Sequence, residues 1–287
     1  MGFFKLEKND TRLPNLVIIG AMKCGTTSLH YYLNLHPEIR MTREKELNFF
    51  IKERNWDRGI DWYRAHFRGS EKIHGESSPN YTNYPVWGGV PERMHSVIPD
   101  AKLIYILRDP IERIISHYIH EYSEGRESRP INEALKEFNS SYIYRSRYYM
   151  QLEQFLQFFP ASNILIITQE NLYRNRLQTL KEVFKFLNVD DSFYSPRFFK
   201  LKHRSSDRRR KNRVGMFLYR LYRETVAERL PPPIRWHMGQ LLCFPFSSKI
   251  KRPVLDNALR EEIADHLRDY INRLREFTGY SFKEWSV

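Results

Sequence analysis

Cysteine is scarce in this chain, and long apolar runs are missing. Two cysteines, Cys24 and Cys243, occur among 287 residues, which excludes a disulfide framework and predicts a reducing compartment. The longest aliphatic runs, such as Leu103–Leu107, are far shorter than the ~20 residues that a membrane helix needs. Residues Met1–Pro14 lack the basic, apolar and small-residue pattern of a secretory signal. We therefore expect a cytoplasmic location.

Acidic residues are outnumbered by basic ones. The chain has 34 Asp and Glu against 47 Lys and Arg, which gives a net charge of +13. Such an excess predicts an anionic partner: a nucleotide, an anionic acceptor, nucleic acid or a lipid surface. A basic face in contact with solvent alone is also compatible with it. With 41% hydrophobic and 28% charged residues, the composition is that of a globular protein and excludes a collagen-like or disordered chain.

Short apolar runs without alternation predict strands that are covered on both faces, as in a parallel sheet. Helical patterns follow or separate these runs, and Asp109 and Pro110 form the start of the predicted helix Ile111–Tyr122. The alternation predicts a doubly wound, mainly parallel α/β sheet flanked by helices. The predicted strands are Leu16–Ile19, Lys72–Gly75, Leu103–Leu107 and Ile164–Thr168, and the predicted helices are Thr26–Leu35, Ile111–Tyr122 and Tyr148–Phe159.

The last third of the chain differs in pattern. Lys200–Arg213 is rich in lysine and arginine and is predicted to be a basic loop. Val214–Leu230 and Leu255–Phe277 have helical periodicity, and Pro231–Pro233 separates them. We expect one domain over residues 1–287, with a core at about 14–213 and a helical C-terminal elaboration at about 214–287.

The segment Gly20–Ser28 leads from a predicted strand into a predicted helix and reads Gly-Ala-Met-Lys-Cys-Gly-Thr-Thr-Ser. Backbone amides at a helix start bind anions, and glycine lets the backbone approach a phosphate closely. The spacing is similar to a Walker A loop, but Thr26 stands where that motif has lysine, and the only lysine is Lys23. The segment therefore predicts a P-loop-like phosphate site that does not follow the ATPase pattern.

This loop resembles the 5′-phosphosulfate loop of sulfotransferases that use 3′-phosphoadenosine 5′-phosphosulfate (PAPS). The resemblance implies that Lys23 contacts the 5′-phosphate and the leaving oxygen. It also implies that the loop residues hold the donor. These residues are Lys23, Cys24, Gly25, Thr26, Thr27 and Ser28.

A second strand-to-helix junction carries Arg108 at the strand end, Asp109-Pro110, and Ser116 about two turns into the helix. A guanidinium and a hydroxyl can clamp an isolated phosphate. The same arrangement in the sulfotransferases implies that Arg108 and Ser116 hold the 3′-phosphate. Pairing of Arg108 with a nearby acid is the alternative.

A third donor contact of that family is a late basic segment, often Lys-Gly-Arg. This chain has Arg208–Arg213 there, with Asn212 in place of glycine, and Lys211 and Arg213 are the candidate contacts. A charged stretch that faces only solvent is equally compatible with the pattern.

An acceptor hydroxyl needs a general base. The segment Glu46-Leu-Asn-Phe-Phe resembles the Glu-x-x-Phe-Phe pattern of the heparan-sulfate N- and 3-O-sulfotransferases, which implies that Glu46 is the base. The chain departs from that group at Asn48, where one subgroup has histidine, and at Ser77, where a second catalytic lysine is expected. Glu46 is alternatively a surface acid within a charged run.

We therefore predict a sulfotransferase with Lys23 and Glu46 as catalytic residues, PAPS as donor, 3′,5′-ADP as product and no metal. The expected acceptor is a carbohydrate, a lipid or a small metabolite, and contact with a membrane stays open. A P-loop kinase that uses ATP and magnesium, or a nucleic-acid-binding module built on Lys200–Arg213, are the alternatives. We expect no nucleic acid as partner, because two phosphate motifs lie in the right order at strand ends.

Overall fold

The computed structural model describes residues 12–200, 208–226, 230 and 232–287. Strands and helices alternate through the first two thirds of the chain, and helices dominate the last third. The strands are β1 Leu16–Gly20, β2 Ile39–Met41, β3 Ile73–Ser77, β4 Lys102–Leu107, β5 Ile164–Thr168, β6 Arg209–Lys211 and β7 Ser247–Lys249. The α-helices are α1 Thr26–Leu33, α2 Gly59–Arg64, α3 Val90–Val97, α4 Pro110–Ser123, α5 Ile131–Ala134, α6 Ser141–Tyr144, α7 Tyr148–Leu156, α8 Gln169–Arg174, α9 Arg176–Leu187, α10 Arg213–Thr225, α11 Pro232–Cys243 and α12 Asn257–Thr278.

The main sheet has five parallel strands in the order β2-β3-β1-β4-β5. On one side of β1 the chain first forms the edge strand β2 and then inserts β3 between β2 and β1, and on the other side it adds β4 and then β5. Every residue of β1 is buried, because helices cover the sheet and no face of the central strand meets water. The predicted doubly wound α/β fold is confirmed.

The strand order decides where a ligand can bind. In open α/β sheets the crevice lies at the carboxyl ends of the strands, where the direction of building reverses. Here that point lies between β1 and β4, which pair over Leu16–Gly20 and Lys102–Tyr105. The segments after both strands therefore meet at one edge of the sheet.

Several predicted boundaries need correction. The strand predicted at Lys72–Gly75 runs over Ile73–Ser77 and thus includes the buried residues Glu76 and Ser77. The helices predicted at Thr26–Leu35 and Tyr148–Phe159 end earlier, at Leu33 and Leu156. In contrast, Asp109 caps α4 as predicted, since its carboxylate accepts from the Glu112 amide at 2.8 Å.

The predicted basic loop Lys200–Arg213 is wrong in its last part. Residues 201–207 lie outside the described residues, but Arg209–Lys211 form β6, which pairs antiparallel with Ser247–Lys249. Asn212 then caps α10 by accepting from the Gly215 amide at 2.9 Å, so Arg213 is the first helical residue. The predicted helix Val214–Leu230 is shorter in the structure, and α11 begins within the prolines at 231–233, at Pro232.

The final helix, α12, packs against α4 and α7. Its inward side carries Leu259, Ile263, Leu267, Ile271 and Leu274, all buried as the periodicity predicts. Within the described part of the chain, no helix combines the length and the apolar character that crossing a bilayer requires.

Candidate active site

The loop between β1 and α1 has the geometry of an anion cradle. Lys23 and Gly25 both adopt left-handed backbone conformations, with φ of 72° and 94°. Such alternation turns successive amides toward one side, and the first amides of a helix have no intrahelical acceptor. The Ala21 amide donates to the carbonyl of Ile106 in β4 at 2.7 Å, which ties the loop to the neighbouring strand.

Glycine is required at two points of this loop. At Gly25 the positive φ disfavours any other residue, and an added Cβ would lie 3.3 Å from the Gln169 side-chain nitrogen. At Gly20 an added Cβ would overlap the Thr82 hydroxyl at 2.0 Å. Both positions therefore hold the cradle close to its supporting residues.

Lys23 lies inside a cluster of charges. Burial, and next to it the charge of Arg208, lowers the pKa of Lys23 to about 7, while the Glu46 carboxylate opposes this shift. Arg108 lowers the pKa further, and Glu121 on α4 raises it. The structure thus brings Lys23, Glu46 and Arg108 together from three separate segments.

The other predicted loop residues differ in how accessible their side chains are. Thr26 and Ser28 are buried at the start of α1, whereas Thr27 is partly accessible. The Cys24 side chain lies in the interior, 3.9 Å from the Tyr148 hydroxyl, and burial raises the pKa of its thiol to about 12. The Cys24 amide already donates to the Ala21 carbonyl at 3.2 Å, so it closes the turn.

Arg108 and Ser116 occupy the second junction as the sequence predicts. Arg108 directly follows β4, and its guanidinium pairs with Glu112 at 3.2 Å, while Glu112 also pairs with Arg252 at 2.6 Å. Ser116 is buried on α4. The Tyr148 hydroxyl donates to the Arg108 carbonyl at 2.7 Å and fixes the backbone there. The alternative partner of Arg108, a nearby acid, is therefore Glu112.

Glu46 projects into solvent from a strained turn. Glu46 and Asn48 have φ of 62° and 49°, values that non-glycine residues rarely adopt. The Glu46 amide donates to the Ser77 carbonyl at 2.8 Å, and the Asn48 side chain donates to the Glu46 carbonyl at 2.7 Å. The carboxylate is exposed, yet its charge acts on Lys23, Lys45 and Arg145. The turn is therefore held from both sides while its side chain stays accessible.

A chain of hydrogen bonds links this turn to a distant arginine. The Asn80 side chain donates to the Asn48 side-chain oxygen at 3.1 Å, and Arg145 donates to the Asn80 side-chain oxygen at 2.9 Å. Arg145 is fully buried; burial, then the charge of Arg113, lowers its pKa to about 9, and Glu121 and Glu46 oppose this shift. Arg145 thus adds positive charge to the site and supports the Glu46 turn.

Ser77 stands where a second catalytic lysine is expected, and its side chain supplies a hydroxyl without positive charge. Its hydroxyl bonds to Nδ1 of His30 at 3.1 Å, and Nε2 of His30 bonds to the Thr42 carbonyl at 3.0 Å. Burial lowers the pKa of His30 to about 4, so the imidazole is neutral near pH 7. Instead, Lys45 reaches the donor loop, where its ammonium donates to the Thr27 hydroxyl at 2.8 Å.

Within the late basic segment, Arg208 is the residue whose charge lowers the pKa of Lys23. Arg208 donates to the Ser123 hydroxyl at 2.9 Å and pairs with Glu124 at 3.6 Å. Lys211 places its ammonium 4.4 Å from the centre of the Tyr219 ring, and Arg213 is exposed at the start of α10. The proposed donor contacts of Lys211 and Arg213 stay predictions.

Sequence reasoning missed Lys45, Arg145 and Glu121 as members of this cluster, and within the segment Arg208–Arg213 it favoured Lys211 and Arg213 over Arg208. The position of Lys45 beside Glu46 is a signal that could have identified it, while Arg145 comes from a segment without a recognisable pattern. His117 and His120 on α4 also lie near these cations: burial lowers the pKa of His120 to about 3 and that of His117 well below its ordinary value. Both imidazoles are therefore neutral and poor candidates for a positive ligand of phosphate.

A cleft of about 740 Å³ opens beside the donor loop. Its lining includes Thr27, Tyr31, Arg43, Lys45 and Arg68. This cleft gives a second molecule access to the segment that carries Glu46.

Comparison with known proteins gives a consistent result. A family model described as "Sulfotransferase domain" matches residues 13–216. Heparan sulfate glucosamine 3-O-sulfotransferase 5 of Mus musculus is 34% identical over 192 residues, which cover 62% of this chain and 54% of that protein. The human bifunctional heparan sulfate N-deacetylase/N-sulfotransferase 2 is 28% identical over 204 residues, which cover 64% of this chain and 23% of that protein.

The match spans about half of the first relative and less than a quarter of the second. Among solved structures, a sulfotransferase from Alicyclobacillus acidocaldarius superposes with a TM-score of 0.68 at 24% identity, covering 96% of this chain and 100% of that one. This similarity concerns the fold.

Proposed function

Because the chain belongs to the sulfotransferase domain family, we propose that it transfers a sulfuryl group from PAPS to a hydroxyl or amine of an acceptor. The observation that carries the proposal is the meeting of two phosphate sites at the β1–β4 crevice: the cradle around Lys23 and the Arg108–Ser116 pair. A donor with phosphate at both its 5′ and 3′ positions matches two such sites. ATP has no 3′-phosphate to occupy the second.

The donor fits the charges of the site. The cradle amides and Lys23 face the 5′-phosphosulfate, and Arg108 with Ser116 faces the 3′-phosphate. Binding requires Arg108 to exchange its contact with Glu112 for the phosphate, and Arg252 remains as a partner for Glu112. The ion pair with Glu112 holds the Arg108 side chain in place at the end of β4.

In the transfer step the acceptor oxygen or nitrogen attacks sulfur in line with the bond to the bridging oxygen of the 5′-phosphate. That bond breaks, its electron pair stays on the bridging oxygen, and 3′,5′-ADP leaves. Glu46 accepts the acceptor proton, and Lys23 stabilises the charge that grows on the bridging oxygen. Positioning and electrostatics supply the catalysis, as in phosphoryl transfer.

The acceptor proposed for this chain is a carbohydrate, a lipid or a small metabolite that enters through the cleft beside Lys45. The cleft has aromatic and basic walls at Tyr31, Arg43 and Arg68, which suit a polar or anionic molecule. A screen with labelled PAPS over oligosaccharides, glycolipids, phenols and alcohols tests this range directly.

The central test uses Glu46→Gln with Glu53→Gln as its matched control, since Glu53 is an exposed acid seven residues away that does not line the cleft. We expect Glu46→Gln to lose about 10²–10⁴-fold in kcat, with unchanged affinity for 3′,5′-ADP in calorimetry, and Glu53→Gln to retain wild-type turnover. Normal turnover of Glu46→Gln removes Glu46 from the mechanism. Tighter binding of ATP with magnesium than of 3′,5′-ADP identifies a kinase instead.

A further inference from the structure

Exposed apolar side chains are concentrated on one hairpin of helices. Nineteen large hydrophobic residues of the described chain are exposed, and ten of them lie between residues 214 and 244. Phe217, Leu241 and Phe244 are 66%, 73% and 60% exposed. Isolated exposed apolar residues are ordinary, but a cluster of this size marks an interaction surface.

The two helices of the hairpin, α10 and α11, run antiparallel. The Cys243 thiol donates to the Gly215 carbonyl at 3.5 Å, near one end of the pair. Farther along, Gly239 packs against the rings of Tyr219 and Tyr222, where an added Cβ would lie 3.2 Å from each. Later residues of α10 therefore contact earlier residues of α11, as antiparallel packing requires.

Each helix carries its exposed apolar residues as a stripe, Val214, Phe217 and Leu221 on α10 and Ile234, Met238 and Leu241 on α11. Both stripes follow helical spacing and lie roughly a third of a turn from the residues that contact the other helix. When each helix is viewed from its own N-terminus, the stripe is rotated away from the contact residues in the same direction. Because the helices are antiparallel, both stripes face the same side of the hairpin and form one apolar surface.

The segment that carries this surface is rich in positive charge. Residues 208–252 contain twelve Lys and Arg against two Glu. Arg213 and Arg220 lie about a quarter of a turn from the α10 stripe. They form no ion pair with another described residue, and both are exposed. Long basic side chains at the edge of an apolar stripe can reach toward anionic groups while their stems stay in apolar surroundings.

We propose that the α10–α11 hairpin is a docking surface for an anionic lipid bilayer, with the apolar stripes at the level of the acyl boundary and Arg213 and Arg220 at the headgroups. The combination of an apolar face and basic flanks is that of helices lying in a membrane interface. A second copy of the chain fits poorly, since a symmetric contact would bring two strongly positive surfaces together. Nucleic acid would match the charge but not the apolar stripes.

The attachment of the hairpin orients the active site. Met216 packs on Gly125 at the end of α4, and Arg208, five residues before α10, acts on Lys23. The hairpin is therefore connected to the donor site through α4 and Arg208. The docking proposal itself does not depend on the reaction, because it concerns binding alone.

Vesicle flotation of the full chain tests the proposal, with phosphatidylcholine vesicles compared with vesicles that contain about 30 mol% phosphatidylglycerol, an anionic content that generates a negative surface potential. We expect binding to the anionic vesicles that weakens steeply with salt, and at least about tenfold weaker binding to neutral ones. The double variant Phe217→Ser/Leu241→Ser should lose about tenfold or more. Its matched control, Leu177→Ser/Tyr194→Ser, changes exposed apolar residues elsewhere and should bind as wild type.

Two charge-reversal variants on α10 give a second, independent test. Arg220→Glu and Arg223→Glu change the net charge equally, but Arg223 lies on the side of α10 opposite the stripe. At physiological salt the Debye length of about 8 Å is shorter than a helix diameter, so Arg220→Glu should weaken binding several-fold more than Arg223→Glu. The proposal is overturned if the chain does not bind vesicles, or if the two charge variants weaken binding equally. It is also overturned if light scattering shows a dimer that Phe217→Ser/Leu241→Ser dissociates while no lipid binding is found. Far-ultraviolet circular dichroism confirms that each variant is folded.

Discussion

Lys45 donates a hydrogen bond of 2.8 Å to the hydroxyl of Thr27, which ties the segment of the proposed base to the donor loop. Lys45 precedes Glu46, and Thr27 lies at the start of α1. Burial lowers the pKa of Lys45, while the Glu46 carboxylate opposes that shift. The contact fixes the distance between the two halves of the site and places an ammonium group next to the expected sulfuryl position.

Replacing Lys45 should therefore impair turnover. We expect Lys45→Met to lower kcat by about 10²-fold, since an oriented positive group near developing charge supplies that order of stabilisation. Steady-state kinetics with an accepted substrate measure the effect, and Lys52→Met, which removes an exposed lysine, should leave kcat unchanged. Wild-type kcat in Lys45→Met would exclude the role.

Comparison with Thr27→Val separates two explanations of that loss. If Lys45 acts only by holding the Thr27 hydroxyl, the double variant should be no worse than either single one. If Lys45 also contacts the donor, the two losses should add in free energy.

Much of the fold was predictable because its signals are local. The unbroken apolar runs of β1 and β4 identify buried parallel strands, and Asp109-Pro110 identifies the start of α4. The short strand Ile39–Met41 was missed, since three residues carry no detectable periodicity. Its pairing with β3 depends on the tertiary fold.

The site was predictable where glycine and helix starts define it, and less so where charges converge from distant segments. Lys23 and Arg108 stand in recognisable junctions. Arg145 reaches the Glu46 turn through Asn80, and nothing in its local sequence indicates this. In the basic run from Arg208 to Arg213 all members resemble one another, and only the tertiary structure shows that Arg209–Lys211 pair with β7 while the charge of Arg208 acts on Lys23.

Glu76 should be critical for stability rather than for chemistry. Its buried carboxyl accepts from the hydroxyls of Tyr63 and Tyr81 at 2.8 Å each and from Ser78 at 2.6 Å. Glu76→Leu leaves the two tyrosine hydroxyls without their acceptor, so we expect a loss of about 2–6 kcal/mol in unfolding free energy at about 1–3 kcal/mol per stranded group. Glu76→Gln keeps an acceptor oxygen and should lose less.

Urea unfolding followed by fluorescence measures both Glu76 variants. Glu92→Leu removes an exposed acid on α3 and should stay within about 0.5 kcal/mol of wild type. Equal losses for Glu76→Leu and Glu92→Leu would contradict a structural role for the buried network.

Donor affinity should depend on pH through Lys23. Burial lowers the pKa of Lys23 to about 7, so its amine is mostly neutral above that pH. Bound phosphates favour the ammonium form and raise the pKa, which means that binding above pH 7 takes up a proton. Affinity for 3′,5′-ADP should therefore fall between about pH 7.5 and 9, by up to about tenfold per pH unit. Calorimetry in two buffers of different ionisation enthalpy measures the proton uptake, and Lys23→Arg, which stays charged, should abolish both the uptake and the slope. A slope that persists in Lys23→Arg would assign the proton to another group of the site.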